Sequence, residues 1–92
     1  MNRSSVYRIE PRVILTELAD GGGLLLHLGT KTYFTLNETG VAVWKALSAA
    51  PQDLDALGAL LARLYDCTEE QARGDVGALM DELVGEDLVL QS

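Results

Sequence analysis

The hydrophobic pattern of this 92-residue chain changes at Asn37, and this change constrains the fold more than any other feature. Before Asn37 the apolar residues form short runs broken by glycine-rich turns, as in β-strands. After Asn37 they recur every three or four residues, as on the buried face of a helix. Strands followed by helices are typical of the α+β class, and 92 residues allow one small domain.

Three strands are predicted in the first part of the chain, over residues 12–18, 24–28 and 31–36. The turns between them, at residues 20–23 and 28–31, contain the glycines that tight turns require. Because both turns are short, the three strands form an antiparallel meander. Alternation in the third strand places Thr32, Phe34 and Leu36 on one face and Lys31, Tyr33 and Thr35 on the other.

Three helices are predicted to follow the meander. Asn37, Asp53 and Thr68 are suitable N-caps, and Thr68 also begins a Thr-x-x-Gln capping box. Pro51 ends the first helix, and Gly85 is a suitable glycine just past the third. A three-stranded meander followed by three helices indicates a winged-helix-like α+β fold.

The remaining segments bound the predicted domain. Residues 1–10 are predicted to be a flexible N-terminus without the apolar core of a signal peptide, and residues 11–92 one domain. The short apolar segment 87–90 is expected to pack back on the core. No apolar run approaches the roughly 20 residues that span a bilayer, so no membrane partner is expected. A single cysteine, Cys67, excludes an internal disulfide and fits the reducing cytoplasm.

The charge is distributed unevenly between the two halves of the chain. Residues 1–50 carry a net charge of +1 and residues 51–92 carry −8, for a total of −7. In the third predicted helix only Arg73 and Gln71 suit a DNA groove, among six acidic residues. Such a field repels phosphate backbones, so nucleic acid is not expected as a partner.

No pattern in the sequence indicates catalysis. The single histidine, His27, is expected on the surface of a strand, without a nucleophile paired to it. The run Gly21–Gly23 lacks the Lys-Ser/Thr that completes a phosphate-binding loop. The acidic residues lack the spacing of a calcium loop, and Cys67 has no partner base. The chain is therefore predicted to be a non-enzyme without cofactor or metal.

Several short motifs, taken in order, resemble one known family. The chain is similar to the PqqD-like proteins, also called RiPP recognition elements, over residues 11–90. Among these it most resembles the free-standing leader-binding proteins of lasso-peptide biosynthesis. The matching pieces are Pro11-Arg12-Val13, the aromatic-x-Leu-Asn-x-x-Gly stretch from Phe34 to Gly40 beside Tyr33, Trp44, Asp53-Leu54, Asp75-Val76 with Leu79 to Leu83, and Leu88-Val89.

The resemblance implies a non-catalytic protein that binds the leader of a ribosomally made precursor peptide. It implies partners as well: a transglutaminase-like leader peptidase that receives the precursor, and a cyclase. In the family the leader adds as a strand to the third strand of the meander, beside the third helix. This mode is physically reasonable, because an edge strand offers unpaired N–H and C=O groups to an extended peptide.

The resemblance and the predicted faces together give the expected peptide-binding residues. The third strand supplies Lys31, Thr32, Tyr33, Phe34, Thr35 and Leu36. On the third helix, the core stripe is predicted as Ala72, Val76, Leu79 and Leu83. The rim beside this stripe is expected to meet the peptide through Val76, Met80, Leu83 and Val84. Met80 and Tyr33 are the most telling of these positions, since Met adapts to varied apolar ligands.

Two other hypotheses remain open at this point. One is a different protein–protein adaptor of winged-helix-like fold, and the other is a DNA-binding regulator, which the charge disfavours. The oligomeric state is also open between a monomer and a weak dimer formed through the third strand, because an exposed edge can pair with its own copy.

Overall fold

A computed structural model describes residues 6–92 of the chain. The strands are β1 (Val6–Ile9), β2 (Val13–Glu17), β3 (Gly23–His27), β4 (Tyr33–Leu36), β5 (Gln52–Asp53) and β6 (Val89–Gln91). The helices are α1 (Glu38–Ala49), α2 (Leu54–Tyr65) and α3 (Glu69–Gly85). This order confirms the predicted α+β class, with a meander followed by three helices.

The predicted meander is the sheet β2-β3-β4, in which each strand is antiparallel to the next. Its third strand begins two residues later than expected. Lys31 has a φ of 63°, and its N–H donates to the carbonyl oxygen of His27 at 2.7 Å. Because a left-handed residue cannot continue an extended strand, Lys31 and Thr32 belong to the turn.

A second sheet, ordered β5-β1-β6, is absent from the sequence-based prediction. The central strand β1 pairs with β6, with Tyr7 opposite Gln91 and Ile9 opposite Val89. Residues 6–9 are therefore ordered, which corrects the expected flexible N-terminus for that part; residues 1–5 lie outside the described range. The C-terminal segment packs on the core as expected, since Leu88 and Val89 are buried.

All three predicted N-caps are present. The side chains of Asn37 and Asp53 each accept a backbone N–H three residues ahead at 2.8 Å. Thr68 and Gln71 form the reciprocal capping box. Gly85 is the last residue of α3 and Glu86 is its C-cap, one residue later than predicted. Within residues 6–92, none of the helices has the length and apolar character that crossing a membrane requires.

The core lies between the two sheets and the three helices. Its buried apolar residues are Tyr7, Val13, Leu25, Leu36, Val41, Val43, Trp44, Leu47, Leu57, Leu61, Ala72, Val76, Met80, Leu83, Leu88 and Val89. Helices α2 and α3 approach closely at Gly58, where an added Cβ would lie 2.8 Å from Cγ of Arg73. Burying one large apolar side chain contributes about 1.5–3 kcal/mol, so this shared core fixes α3 relative to the sheet.

Candidate functional site

The open edge of β4 is the first component of the candidate site. β4 lies at the end of the sheet β2-β3-β4, and no described strand pairs with its other side. The N–H of His27 donates to the carbonyl oxygen of Thr32 at 3.0 Å, and this sets the alternation of the antiparallel ladder. By that alternation Phe34 and Leu36 bond to β3, while the backbone groups of Tyr33 and Thr35 face the open edge.

A groove between β4 and α3 is the second component. Its main part has a volume of about 640 Å³. The lining residues are Leu18, Asp20, Gly22, Phe34, Thr35, Leu36, Asn37, Glu38, Leu79 and Glu82. A smaller part of about 290 Å³ shares Asn37, Leu79 and Glu82 with the main part and lies between α1, α2 and α3, where Thr39, Leu61 and Asp75 also line it. We call the two parts together the β4–α3 groove.

Local sequence explains the shape of one end of this groove. The turn from β2 to β3 is closed by the N–H of Leu18, which donates to the carbonyl oxygen of Gly22 at 2.8 Å. Gly21 has a φ of 95°, which favours glycine strongly. The carboxylate of Asp20 accepts the N–H of Gly22 at 2.9 Å, so the turn holds Asp20 at the groove.

The start of α1 forms a further part of the wall. Asn37 follows β4 directly, and its side chain caps α1 through the N–H of Gly40. The chain therefore changes from strand to helix within one residue, and the first helical residue, Glu38, lines the groove. An Asn cap after a strand thus gives a rigid junction beside the open edge.

The electrostatics of the groove are uniform in sign. Four carboxylates line it, from Asp20, Glu38, Asp75 and Glu82, and no described Lys, Arg or His lines it. The ion pairs of the described residues lie elsewhere: Arg12–Glu10, Lys45–Glu17 and Arg73–Asp55. The groove therefore combines an apolar floor of Phe34, Leu36 and Leu79 with a negative rim.

The structure separates the predicted strand residues into three groups. Lys31 and Thr32 are exposed in the turn. Phe34 and Leu36 lie on the inner face of the sheet and line the groove. Tyr33 is 66% exposed and, by alternation, lies on the outer face with Thr35. Tyr33 therefore does not share a face with Phe34 and Leu36, which line the groove.

The predicted rim of α3 is wrong for most of its members. Met80 and Leu83 are buried in the core. Val76 is buried with them but also lines the smaller part of the groove, as predicted for it. Val84 is half-buried and packs against that core. Leu79, which was expected in the core stripe, instead lines both parts of the groove. The predicted and observed core stripes therefore share Ala72, Val76 and Leu83 and differ only in that Met80 takes the place of Leu79.

His27 is another correction, because it is 1% exposed rather than on the surface. Its Nδ1 accepts the N–H of Gly29 at 3.0 Å and the N–H of Thr30 at 3.2 Å. These two contacts tie the ring to the backbone of the β3–β4 turn. His27 does not line the groove.

Two pKa shifts have clear physical causes, and both lie outside the groove. Burial raises the pKa of the Tyr7 hydroxyl, and the negative charge of Asp81 adds to the effect. The backbone N–H of Arg12 holds the pKa of the Glu10 carboxyl below its ordinary value. Among residues 6–92 no group of three or more His, Cys, Asp or Glu side chains is arranged to hold a metal ion.

Comparison with solved structures supports the same architecture. The structure of TbiB1 in complex with the TbiA(beta) leader peptide superposes with a TM-score of 0.79 at 23% identity, over 89% of this chain and 93% of that one. A lasso peptide synthetase B1 complexed with the leader peptide superposes with a TM-score of 0.75 at 21% identity, over 91% of this chain and 96% of that one. At these identities the likeness establishes the fold.

Comparison at the level of sequence gives the family. No curated protein matches the chain. The model of coenzyme PQQ synthesis protein D (PqqD) matches residues 22–89, which is well over half of the chain. The matched range begins at the β2–β3 turn and ends in β6, so it includes β4, α3 and all of the groove lining except Leu18 and Asp20. The chain therefore belongs to the PqqD family.

Proposed function

We propose that the chain is a non-catalytic protein that binds the leader segment of a ribosomally made precursor peptide in the β4–α3 groove. The observation that carries this proposal is the open edge of β4 directly beside an apolar groove. Both superposed structures hold leader peptides, which supports the same class of ligand for this chain.

The backbone of β4 supplies the affinity in this proposal. An extended leader adds as a further strand and pairs with the outward N–H and C=O groups of Tyr33 and Thr35. These hydrogen bonds do not depend on the leader's side chains. They therefore hold the leader along β4 without selecting its sequence, while its side chains set the register.

The groove supplies the specificity. Alternate side chains of an added strand point to the same side as Phe34 and Leu36, towards Leu79 of α3. An apolar leader residue there is removed from water between strand and helix, which contributes about 25 cal/mol per Å² of apolar surface buried. The other side chains lie on the outer face beside Tyr33, which remains accessible to a partner.

We further propose that the bound leader is presented to a transglutaminase-like leader peptidase, and then to a cyclase, in the cytoplasm. The chain contributes binding and positioning, while the partner enzymes contribute the chemistry. A weak dimer formed through β4 would compete with the leader for the same edge, since both need its unpaired groups.

Amide exchange tests the binding mode directly. The probe is the leader of the precursor peptide encoded beside this chain's gene, made synthetically and labelled with fluorescein. Fluorescence polarisation gives the affinity, and a labelled duplex DNA is tested separately as the alternative ligand. Hydrogen exchange by NMR then follows the amides of Tyr33 and Thr35, with Phe34 and Leu36 as internal controls.

The expected result is saturable leader binding, no DNA binding, and slower exchange at Tyr33 and Thr35 in the complex. Phe34 and Leu36 should change less, because their amides already bond to β3. Leader binding that leaves the amides of Tyr33 and Thr35 unprotected would exclude strand addition at β4. Absence of leader binding would overturn the proposed function itself.

A further inference from the structure

The rim of the β4–α3 groove carries only negative charge, and this charge affects which leader sequences can bind. We infer that the groove selects leader segments in which Lys or Arg side chains flank an apolar anchor. This inference rests on the proposed function, because it specifies the peptide bound at the same site. The anchor contacts Phe34 and Leu79, and the basic side chains pair with the carboxylates around them.

The sequence of α3 places acid on both sides of the apolar contact. Asp75, Leu79 and Glu82 are spaced by four and three residues, so they form one stripe along the helix, and all three line the groove. Asp75 therefore lies about 6 Å along the helix axis from Leu79, and Glu82 about 4.5 Å in the other direction. We call this stripe the groove face of α3.

The opposite wall carries the same charge. Asp20 is held by the β2–β3 turn, and Glu38 is the first residue of α1; both line the main part of the groove. An added Cβ on Gly21 would lie 3.0 Å from Oε2 of Glu38, so this carboxylate lies against the turn that holds Asp20. A basic side chain between these walls meets carboxylates from three separate elements.

The geometry of a strand matches this arrangement. Side chains on one face of a strand recur every second residue, about 6.6–7 Å apart. A Lys or Arg two residues before or after the anchor therefore points into the same groove, and its long stem reaches the rim. An acidic residue at that position would instead meet only like charge, so the rim also rejects competing peptides.

Specific pairing must be distinguished from the general negative field of residues 51–92. The test compares the double variant Glu38→Gln/Glu82→Gln with the matched double variant Glu69→Gln/Glu70→Gln. Both variants remove two negative charges, and each removes at least one carboxylate from the first turn of a helix, Glu38 in α1 or Glu69 and Glu70 in α3. Glu69 and Glu70 are exposed and do not line the groove.

The probes are the fluorescein-labelled leader described above and two versions of it. In the first version every Lys and Arg of the β4-paired segment is replaced by Gln, and in the second by Glu. We expect the Gln leader to bind the unmodified protein about tenfold more weakly than the natural leader, because each exposed pair contributes roughly twofold to fivefold. The groove variant should lose a similar factor for the natural leader and almost none for the Gln leader.

The matched variant should bind all three peptides within about twofold of the unmodified protein. A charge reversal sharpens the test: Glu38→Lys/Glu82→Lys should recover binding of the Glu leader, which the unmodified protein rejects. Equal losses in the groove and matched variants would overturn the inference, since the general field would then explain the effect. So would equal affinity for the three leaders, or a natural β4-paired segment without Lys or Arg. Failure of every leader to bind would instead overturn the proposed function.

Discussion

The core face and the groove face of α3 differ in what they contribute to the protein. The core face consists of Ala72, Val76, Met80 and Leu83, which are at most 1% exposed. The groove face consists of Asp75, Leu79 and Glu82, of which Leu79 and Glu82 line the main part of the groove with β4 and Asp75 lines its smaller part. Adjacent residues, Leu79 and Met80, belong to different faces because each step along a helix turns it by 100°. One side of α3 therefore packs in the core, and another side forms a wall of the groove.

Replacing Met80 by Glu should have the largest effect of any change on α3. Met80 is fully buried among core side chains, so the substitution places a carboxylate in an apolar environment. We expect loss of at least about 3–5 kcal/mol of stability, which is enough to unfold a small domain. Urea denaturation followed by circular dichroism measures this loss.

The matched control for this change is Met80→Leu. A volume-conserving apolar substitution should cost less than about 1.5 kcal/mol and leave leader binding close to normal. If the Met80→Glu protein were as stable as the unmodified protein, Met80 would not belong to the core face. The division of α3 into a core face and a groove face would then be wrong at Met80, its most deeply buried residue.

Replacing Leu79 by Gln should have the opposite effect to Met80→Glu: the protein should stay folded but bind the leader more weakly. Leu79 is half-buried, so a polar side chain of similar size reaches water and the fold tolerates it. The leader's apolar anchor loses its contact on α3, and we expect about tenfold to thirtyfold weaker binding, or roughly 1.4–2 kcal/mol. Fluorescence polarisation measures the affinity, and thermal denaturation confirms the fold. Normal leader affinity in a folded Leu79→Gln protein would show that the groove face of α3 does not contact the leader.

The opposing wall can be tested at Thr35, whose N–H faces the open edge of β4. Thr35→Pro removes one ladder donor without removing a bond to β3, so the sheet should persist. Loss of a single backbone hydrogen bond should weaken leader binding by about 1 kcal/mol, or roughly fivefold. Thr35→Val keeps both the donor and the branched shape, and it should bind normally. Equal affinities for the Pro and Val variants would indicate that the leader does not pair with β4 at this position.

The sequence predicts the meander and the three helices because their signals are local. Gly21 and the Asn37, Asp53 and Thr68 caps act through residues within three positions of themselves, so their effect is visible in a short window. The alternation in β4 is also predicted correctly, since Phe34 and Leu36 share the inner face. These are the features for which spacing alone determines geometry.

The second sheet could not be predicted in the same way. Strand β1 pairs with β6 from the other end of the chain, and each strand has only three or four residues. No local pattern encodes a pairing between segments so far apart. His27 was misplaced for a related reason: its partners are the amides of its own turn, which hydrophobic spacing does not reveal.

Leu79 and Met80 were assigned to the wrong faces of α3 because the apolar residues of this helix cover more than the core requires. Val76, Met80 and Leu83 are core residues, but Leu79 and Val84 widen the apolar arc to either side. The spacing of apolar residues shows which side of α3 is apolar. It does not show which edge of that side faces the groove beside β4. The acidic neighbours of Leu79 at positions 75 and 82 were an available signal, since a core stripe is rarely flanked closely by carboxylates.

A substitution on the solvent-exposed side of α3 should change leader affinity least of all. Glu70 is exposed in the first turn of α3, away from the groove, so Glu70→Lys alters only the general field around the leader. Exposed charges are screened within about 8–10 Å at physiological ionic strength, and we therefore expect less than a twofold change in affinity. The association rate of a basic leader should still fall as salt rises from about 20 to 500 mM, because long-range steering is screened. Stopped-flow fluorescence measures this association rate at each salt concentration, and fluorescence polarisation measures the affinity. A loss of affinity in Glu70→Lys as large as that in Leu79→Gln would mean that the leader contacts the exposed side of the helix, and the groove would lie on the wrong face of α3.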